Sequence, residues 1–453
     1  MLITLLLIAF VSLWGISFVL FDRDLVSPAM LLISGYTVSV GFAFISSFFF
    51  PFNYHTETVF VLLVGTLLFV IPAYAVKEVL KSDNLSVNLT VARSVIVFRP
   101  WVLYLAAALI AGAIVLSVLT YCRILKDIIP GITYTAAISA MRNYLIVHPE
   151  AATLKELLIL NQVKKIFLIG GWFLLFVYAR NCAVRRHFLK DRGILLNLVL
   201  ILILIGTGGG RGGLVAFILG GAGLFFFFDY LYNGTRLRIS LNLFAKLIGG
   251  GIATAIIFFG LLCLTGRRAG TFDMNALWTH VQIYLAGPIP LLDHFLQVPY
   301  PGGGDLFGRE TFYALNSQLS KLHLIAAPLY SPHLEFRPGV YLGGNCYTAY
   351  RSYLYDFGYA GLILCPILFS VMANVFYYTC VKCAKIRIFA PLLILYATVM
   401  YSIFIDFERS CFFTYWLSFG IVVYLVGFVL LYWFLLKLGW MKIVSERDGR
   451  PTL

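Results

Sequence analysis

Two stretches of the sequence, Met1–Leu20 and Phe412–Leu436, run the length of a bilayer without a charged residue. A spanning helix takes about 20 apolar residues, whereas a membrane strand needs about ten and alternates. Uninterrupted runs of this length therefore select helices, with lipid as their solvent. The rest of the chain agrees: its 453 residues are 61% hydrophobic and 12% charged, more apolar surface than a soluble core hides. The expected fold class is an all-α polytopic membrane protein, a single integral membrane domain over 1–453. Hydropathy places about eleven transmembrane helices, near 2–20, 28–50, 56–76, 101–121, 164–180, 193–206, 212–230, 246–265, 357–379, 388–405 and 411–436. The first run has no basic n-region and no A-x-A-like site, so it reads as a span and not a cleavable signal peptide. No internal repeat is evident, which disfavours an inverted-repeat transporter.

The formal net charge of +14 would suit a nucleic-acid partner, but the cations lie in short loops between spans. The positive-inside rule accounts for them, and no nucleic acid is expected. The densest short basic loop holds Arg180, Arg185, Arg186, Lys190 and Arg192 and is assigned to the cytoplasm. Counting spans outward puts Lys77–Arg99, Arg236–Lys246, Lys382–Arg387 and the Lys437–Arg447 tail on that same side. The N-terminus is then periplasmic and the C-terminus cytoplasmic, as for a multi-pass protein of a bacterial inner membrane. Two hydrophilic segments fall outside: Tyr121–Gln162 and a large periplasmic loop over 266–356, with short helices expected near Asn275–Leu285 and Glu310–Leu322. A loop that long is usually functional. The cysteines, Cys380-x-x-Cys383 included, read as membrane-helix residues, because a metal site needs a second ligand pair. No metal and no cofactor are expected.

The stretch "GTGGGRGGLVAFIL", residues 206 to 219, places Arg211 among six glycines at the start of a predicted span. It contains G-x-G-x-x-G but lacks the preceding strand and following acid of a dinucleotide site, and no Lys-Ser or Lys-Thr makes it a Walker loop. Its bland reading is close helix packing with a snorkelling arginine. The predicted sidedness favours another: the N–H groups of Gly209, Gly210 and Gly212, a helix N-terminus and a guanidinium form an outward-facing anion site. The large loop adds cations in Arg267, Arg268, Arg309, Arg337 and Arg351, and acceptors in Asp273, Asp293, Asp305, Glu310, Glu335 and Asp356. Its His280, His294, His323 and His333 are candidates for proton transfer. Tyr284, Tyr347 and further tyrosines offer stacking faces, although a solvated loop rich in interfacial tyrosine would look similar.

"GTGGGRGGLVAFIL", "YLAGPIPLLDHFLQ" and "NCYTAYRSYLYDFGYAGLIL" resemble, in order, three segments of the bacterial oligosaccharide repeat-unit polymerases, the Wzy-type O-antigen and capsule polymerases. The resemblance covers the chain from about residue 193 onward. It implies a GT-C-like, metal-independent glycosyltransferase at the periplasmic face. Such an enzyme transfers a growing glycan from undecaprenyl diphosphate onto another lipid-linked repeat unit in lipopolysaccharide or capsule biosynthesis. A chain-length regulator in the same membrane is the protein partner it suggests. By motif, Arg211 carries over as the arginine of the glycine-rich turn. Asp356 carries over as a candidate functional carboxylate, with Gly358 and Gly361 as packing residues. Arg337, Arg351 and His333 join the expected catalytic set by inference; Gly209, Gly210, Gly212, Arg267, Arg268, Tyr284 and Tyr347 form the expected substrate-binding set.

Two alternatives stand beside this. An O-antigen ligase uses the same donor with a lipid A–core acceptor, but typically reads His-Asn-x-x-Leu at the last loop–span junction, where this chain has Gly344-Asn345-Cys346. A lipid-linked oligosaccharide flippase would carry ionisable residues near the midplane of its spans, and here charges avoid the span centres.

Overall fold

The apolar runs are helices. A computed structural model describes residues 1–453 except 81–87, 89–90, 92, 188, 209–211, 234–273, 299–305, 326–335, 338–339, 342 and 446–453. In chain order the described elements are α1 (Leu2–Leu20), α2 (Pro28–Ser46), α3 (Thr56–Leu80), β1 (Ser94–Phe98), α4 (Pro100–Leu125), α5 (Tyr134–Val147), α6 (Lys155–Arg185), α7 (Arg192–Gly206) and α8 (Gly212–Asn233). There follow α9 (Met274–Leu285), α10 (Pro288–Gln297), α11 (Tyr313–Lys321), α12 (Ala349–Ile386), α13 (Pro391–Phe404), α14 (Phe412–Trp416), α15 (Phe419–Lys437) and β2 (Met441–Ser445). Among the described residues, 8 helices are long and apolar enough to cross a membrane. Arg192–Gly206 and Pro391–Phe407 are shorter apolar helices at two further expected spans. The expected span at 246–265 lies outside the described residues.

Several boundaries differ from the sequence reading, each for a local reason. The expected 357–379 span is part of α12, which starts eight residues earlier and is broken at Gly358 (φ 59°, ψ −151°). The last residues of the expected loop are therefore helical. Tyr121–Gln162 is not an extended hydrophilic loop: α4 continues to Leu125, and α5 and a 3₁₀ turn at Pro149–Thr153 follow. Tyr121, Leu125, Ala137, Met141, Leu157 and Leu160 bury against one another there. The expected 411–436 span divides into α14 and α15. Of the two short helices expected in the large loop, both form, as α9 and α11, and α10 adds a third begun by Pro288 at its first turn.

The described chain divides into two compact units: Met1–Asn84 with Phe272–Lys382 and Val399–Val422, and Leu85–Thr271 with Cys383–Thr398 and Val423–Leu453. In the first, helix ends sort as alternating spans require. Lys77, closing α3, pairs with Asp22 beyond α1 at 2.9 Å, and Tyr377 near the end of α12 bonds Asp24. The opposite ends of α2, α3 and α12 meet the folded loop, through Gln282 to Ser46 (3.2 Å), Thr58 to Asp293 (2.6 Å) and Thr311 to Asp356 (2.7 Å).

The second unit holds a two-stranded sheet that hydropathy did not reveal. β1 and β2 pair antiparallel, Ser94 opposite Ser445 and Phe98 opposite Met441. After α15, Gly439 (φ 63°) turns the chain into β2: Gly439 N–H bonds Leu436 O and Trp440 N–H bonds Leu435 O, each at 3.0 Å, a Schellman ending. The last turns of α6 hold the sheet. Asn181 exchanges two bonds with Ile96, at 3.0 and 2.8 Å, and the fully buried Arg180 donates to Val91 O and Ser94 O. The Lys77–Arg99 segment and the C-terminal tail, assigned to one side by charge, are thus joined at β1 and β2.

Candidate functional site

The loop closing the first unit is built on two ion-bearing clusters and one open cavity. The first cluster lies at the start of α12. Arg351 is fully buried. Its guanidinium donates to the Glu310 carboxylate and lies over the rings of Tyr355, Phe295 and Tyr347 at 4.7, 5.0 and 5.2 Å. Burial pushes the Glu310 carboxyl above its ordinary range, and Arg351 opposes that rise. Asp356 accepts the backbone N–H groups of Glu310 (3.1 Å) and Thr311 (2.7 Å). Arg351 and Asp356 therefore anchor one short segment of the loop to one helix end.

Tyr347, expected to stack on a sugar, is itself fully buried and packs on Arg351. Tyr284 is 39% exposed on α9. Gly358 and Gly361 separate in role. Gly361 is a packing residue as expected, since a Cβ there would overlap Tyr353 O and lie 2.8 Å from Phe357 Cβ. Gly358 is not: a Cβ would meet nothing within 4 Å, and the glycine instead supplies a backbone conformation almost closed to other residues. It lets the chain change direction directly after Asp356.

The second cluster centres on Asp293 of α10, 1% exposed. Its oxygens accept His55 N–H and His55 Nδ1, both at 2.8 Å, and Thr58 Oγ1 at 2.6 Å. One loop carboxylate thus satisfies the N-terminal end of α3, where negative charge is favoured.

Beside it opens a cavity of about 480 Å³, walled by Phe49, Phe50, Phe52, His294, Val340 and Tyr341. The turn from Arg337 to Gly344 forms one wall. Arg337 N–H bonds Gly344 O at 2.9 Å, and Gly343 N–H bonds Val340 O at 2.8 Å. Within that turn Tyr341 takes φ 56°, a strained conformation for a bulky residue, and its hydroxyl meets Ser46 Oγ. Gln282 donates to the same Ser46 oxygen at 3.2 Å. The half-buried Arg337 guanidinium acts on His294: burial first, then the Arg337 charge, holds the imidazole below its ordinary pKa. The neutral form of His294 is thereby favoured. The wall combines an imidazole with aromatic faces, under the influence of the Arg337 charge, able to accept a proton and stack an apolar or sugar ring.

Of the expected site residues, Arg337, Arg351, Asp356, Tyr284 and Tyr347 fall in this unit, with Arg337 acting by its charge on His294 and Arg351, Asp356 and Tyr347 in the buried cluster. Gly212 opens α8 in the second unit. Gly209, Gly210, Arg211, Arg267, Arg268 and His333 lie outside the described residues, as does Asp305. Among the described residues no group of three or more His, Cys, Asp or Glu is placed to hold a metal ion. Sequence reasoning missed His55 and Ser46, whereas Tyr341 is one of the loop tyrosines expected to offer a stacking face. The available signal was the aromatic run Phe48-Phe49-Phe50-Pro51-Phe52, whose first three residues close the expected 28–50 span.

With known protein families, with curated proteins and with solved structures, comparison finds no match to this chain.

Proposed function

We propose that the chain is a metal-independent, membrane-embedded glycosyltransferase of the repeat-unit polymerase kind. In this reading it acts at the periplasmic face of a bacterial inner membrane on undecaprenyl-diphosphate-linked oligosaccharides. One observation carries the reading: an aromatic-walled cavity at the ends of apolar helices holds an imidazole, His294, that feels the charge of Arg337. A lipid diphosphate bearing a sugar needs those three chemistries side by side. The acceptor hydroxyl attacks the anomeric carbon, the bond from that carbon to the diphosphate oxygen breaks, and the configuration inverts. His294 takes the hydroxyl proton. Arg337 stabilises the charge growing on the diphosphate, so it lowers the barrier more than it tightens substrate binding. Arg351 and Asp356 position the loop through Glu310 and Thr311.

The test is the surface glycan of a strain lacking the chain. Lipid core capped with a single repeat unit is the expected result, because ligation survives while extension stops. Uncapped core with long glycan on the undecaprenyl carrier would mark a ligase, and single repeat units held at the cytoplasmic face would mark a flippase. An unchanged glycan would refute the enzyme reading.

A further inference from the structure

The second unit carries a groove that the glycosyltransferase reading does not use. It has a volume of about 540 Å³, is lined almost wholly by carbon, and lies between α4, α6 and α15. Ala106 and Ile110 form one wall, Leu430 and Trp433 the other, and Gly170 lies on the floor. A Cβ on Gly170 would meet nothing within 4 Å, whereas one on the adjacent Gly171 would press on Ile201 at 2.8 Å. Gly171 is thus a packing glycine, and Gly170 leaves space unfilled. Leu430 and Trp433 remain 58% and 56% exposed.

Size and charge select the occupant. Along α6 the groove runs from Ile166 to Leu174, about 12 Å at a helical rise. That is most of one leaflet's half of a hydrocarbon core about 30 Å thick. An apolar chain lying along that length meets carbon almost throughout. A single hydrocarbon chain fits.

Its mouth is cationic. Lys437 Nζ lies 4.6 Å from the ring of the groove-lining Trp433. The next residues turn back so that Arg99 N–H bonds Trp440 O at 2.9 Å, and Arg99 Nη2 comes 3.5 Å from the Cβ position of Gly439. Trp440 packs on the groove-lining Phe434 at 5.6 Å and on Trp101 at 5.0 Å. Every charged residue in 93–101 and 433–445 is a cation: Arg93, Arg99, Lys437 and Lys442. Tryptophan and lysine at a span end mark the headgroup level.

We propose that this groove is a binding site for one anionic phospholipid, its acyl chain over Gly170 and its phosphate between Lys437 and Arg99. The probe is full-length protein reconstituted in bilayers holding equal amounts of phosphatidylglycerol and phosphatidylcholine, then released and weighed intact with its retained lipid. The wild type should keep one phosphatidylglycerol in preference to phosphatidylcholine. Gly170→Leu fills the floor and should abolish retention at an unchanged melting temperature; Gly112→Leu, which also enters open space but away from the groove, should not. Arg99→Gln combined with Lys437→Gln should cut the preference for phosphatidylglycerol about tenfold, each surface cation contributing attraction to an anionic lipid. Equal retention of the two lipids by the wild type would overturn the proposal. So would retention unaffected by Gly170→Leu, or a second copy of the chain released in place of lipid by that substitution.

Discussion

Replacing Arg351 by methionine removes the cation from a buried pair and leaves most of the volume in place. Glu310 keeps a side chain only 17% exposed, and a carboxylate stripped of its buried partner costs about 3–5 kcal/mol. The lower figure applies, because burial already raises the Glu310 carboxyl and it can relieve itself by taking a proton. About 3 kcal/mol corresponds to roughly a hundredfold change in an equilibrium. The opening this favours is local, since the amides of Glu310 and Thr311 bond Asp356 at 3.1 and 2.7 Å. Hydrogen exchange of the 307–312 segment should therefore lose about two orders of magnitude of protection, with α1 to α3 unchanged. The pH dependence has a definite sign. Without Arg351, burial and the Asp356 charge act against the Ser352 hydrogen bond alone, so the folded pKa of Glu310 rises further above its unfolded value. Its contribution is complete below the unfolded pKa and is lost as pH rises through the folded one. Protection in Arg351→Met should fall from pH 5 to pH 8 after correction for intrinsic exchange. The double variant Arg351→Met, Glu310→Leu should recover most of it, both charges being gone. Equal losses in the single and double variants, or protection independent of pH in the single, would refute the pairing argument.

Arg337→Ala should abolish chain extension in membranes without lowering protein level, and His294→Gln should slow it; the pH–rate profile of the wild type should rise through a value below 6.5, the neutral imidazole being the active form. Gly358→Ala should destabilise by about 1–3 kcal/mol for backbone strain alone, read as a lower melting temperature, with no loss at Gly112→Ala, where a helical backbone leaves the added Cβ in open space. Arg211→Ala should stop extension, and Arg211→Lys should restore little, because an ammonium lacks the planar two-pronged grip on a diphosphate; full activity with alanine would return the glycine-rich turn to a packing role.

The spans were legible because each is decided locally. Whether residues 2–20 or 419–437 lie in lipid depends on their own transfer energy, which a window of the chain contains. Lys77 pairs with Asp22 and β1 with β2, contacts that the grouping of loops by charge allows but that no window of the chain specifies. The sheet itself was hidden: Ser94–Phe98 and Met441–Ser445 are short apolar runs next to apolar helices, and their partners lie far apart in the chain. The loop was read as a store of exposed charge because composition does not reveal pairing. Only tertiary structure decided that Arg351 is buried on Glu310, that Asp293 closes the end of α3 from 235 residues away, and that Gly358 serves the backbone. It also decided that Arg337, rather than Arg351, is the loop arginine whose charge acts on the cavity's imidazole, His294. A charged side chain in a long loop is solvated or buried according to what folds over it, and that depends on contacts no local window holds.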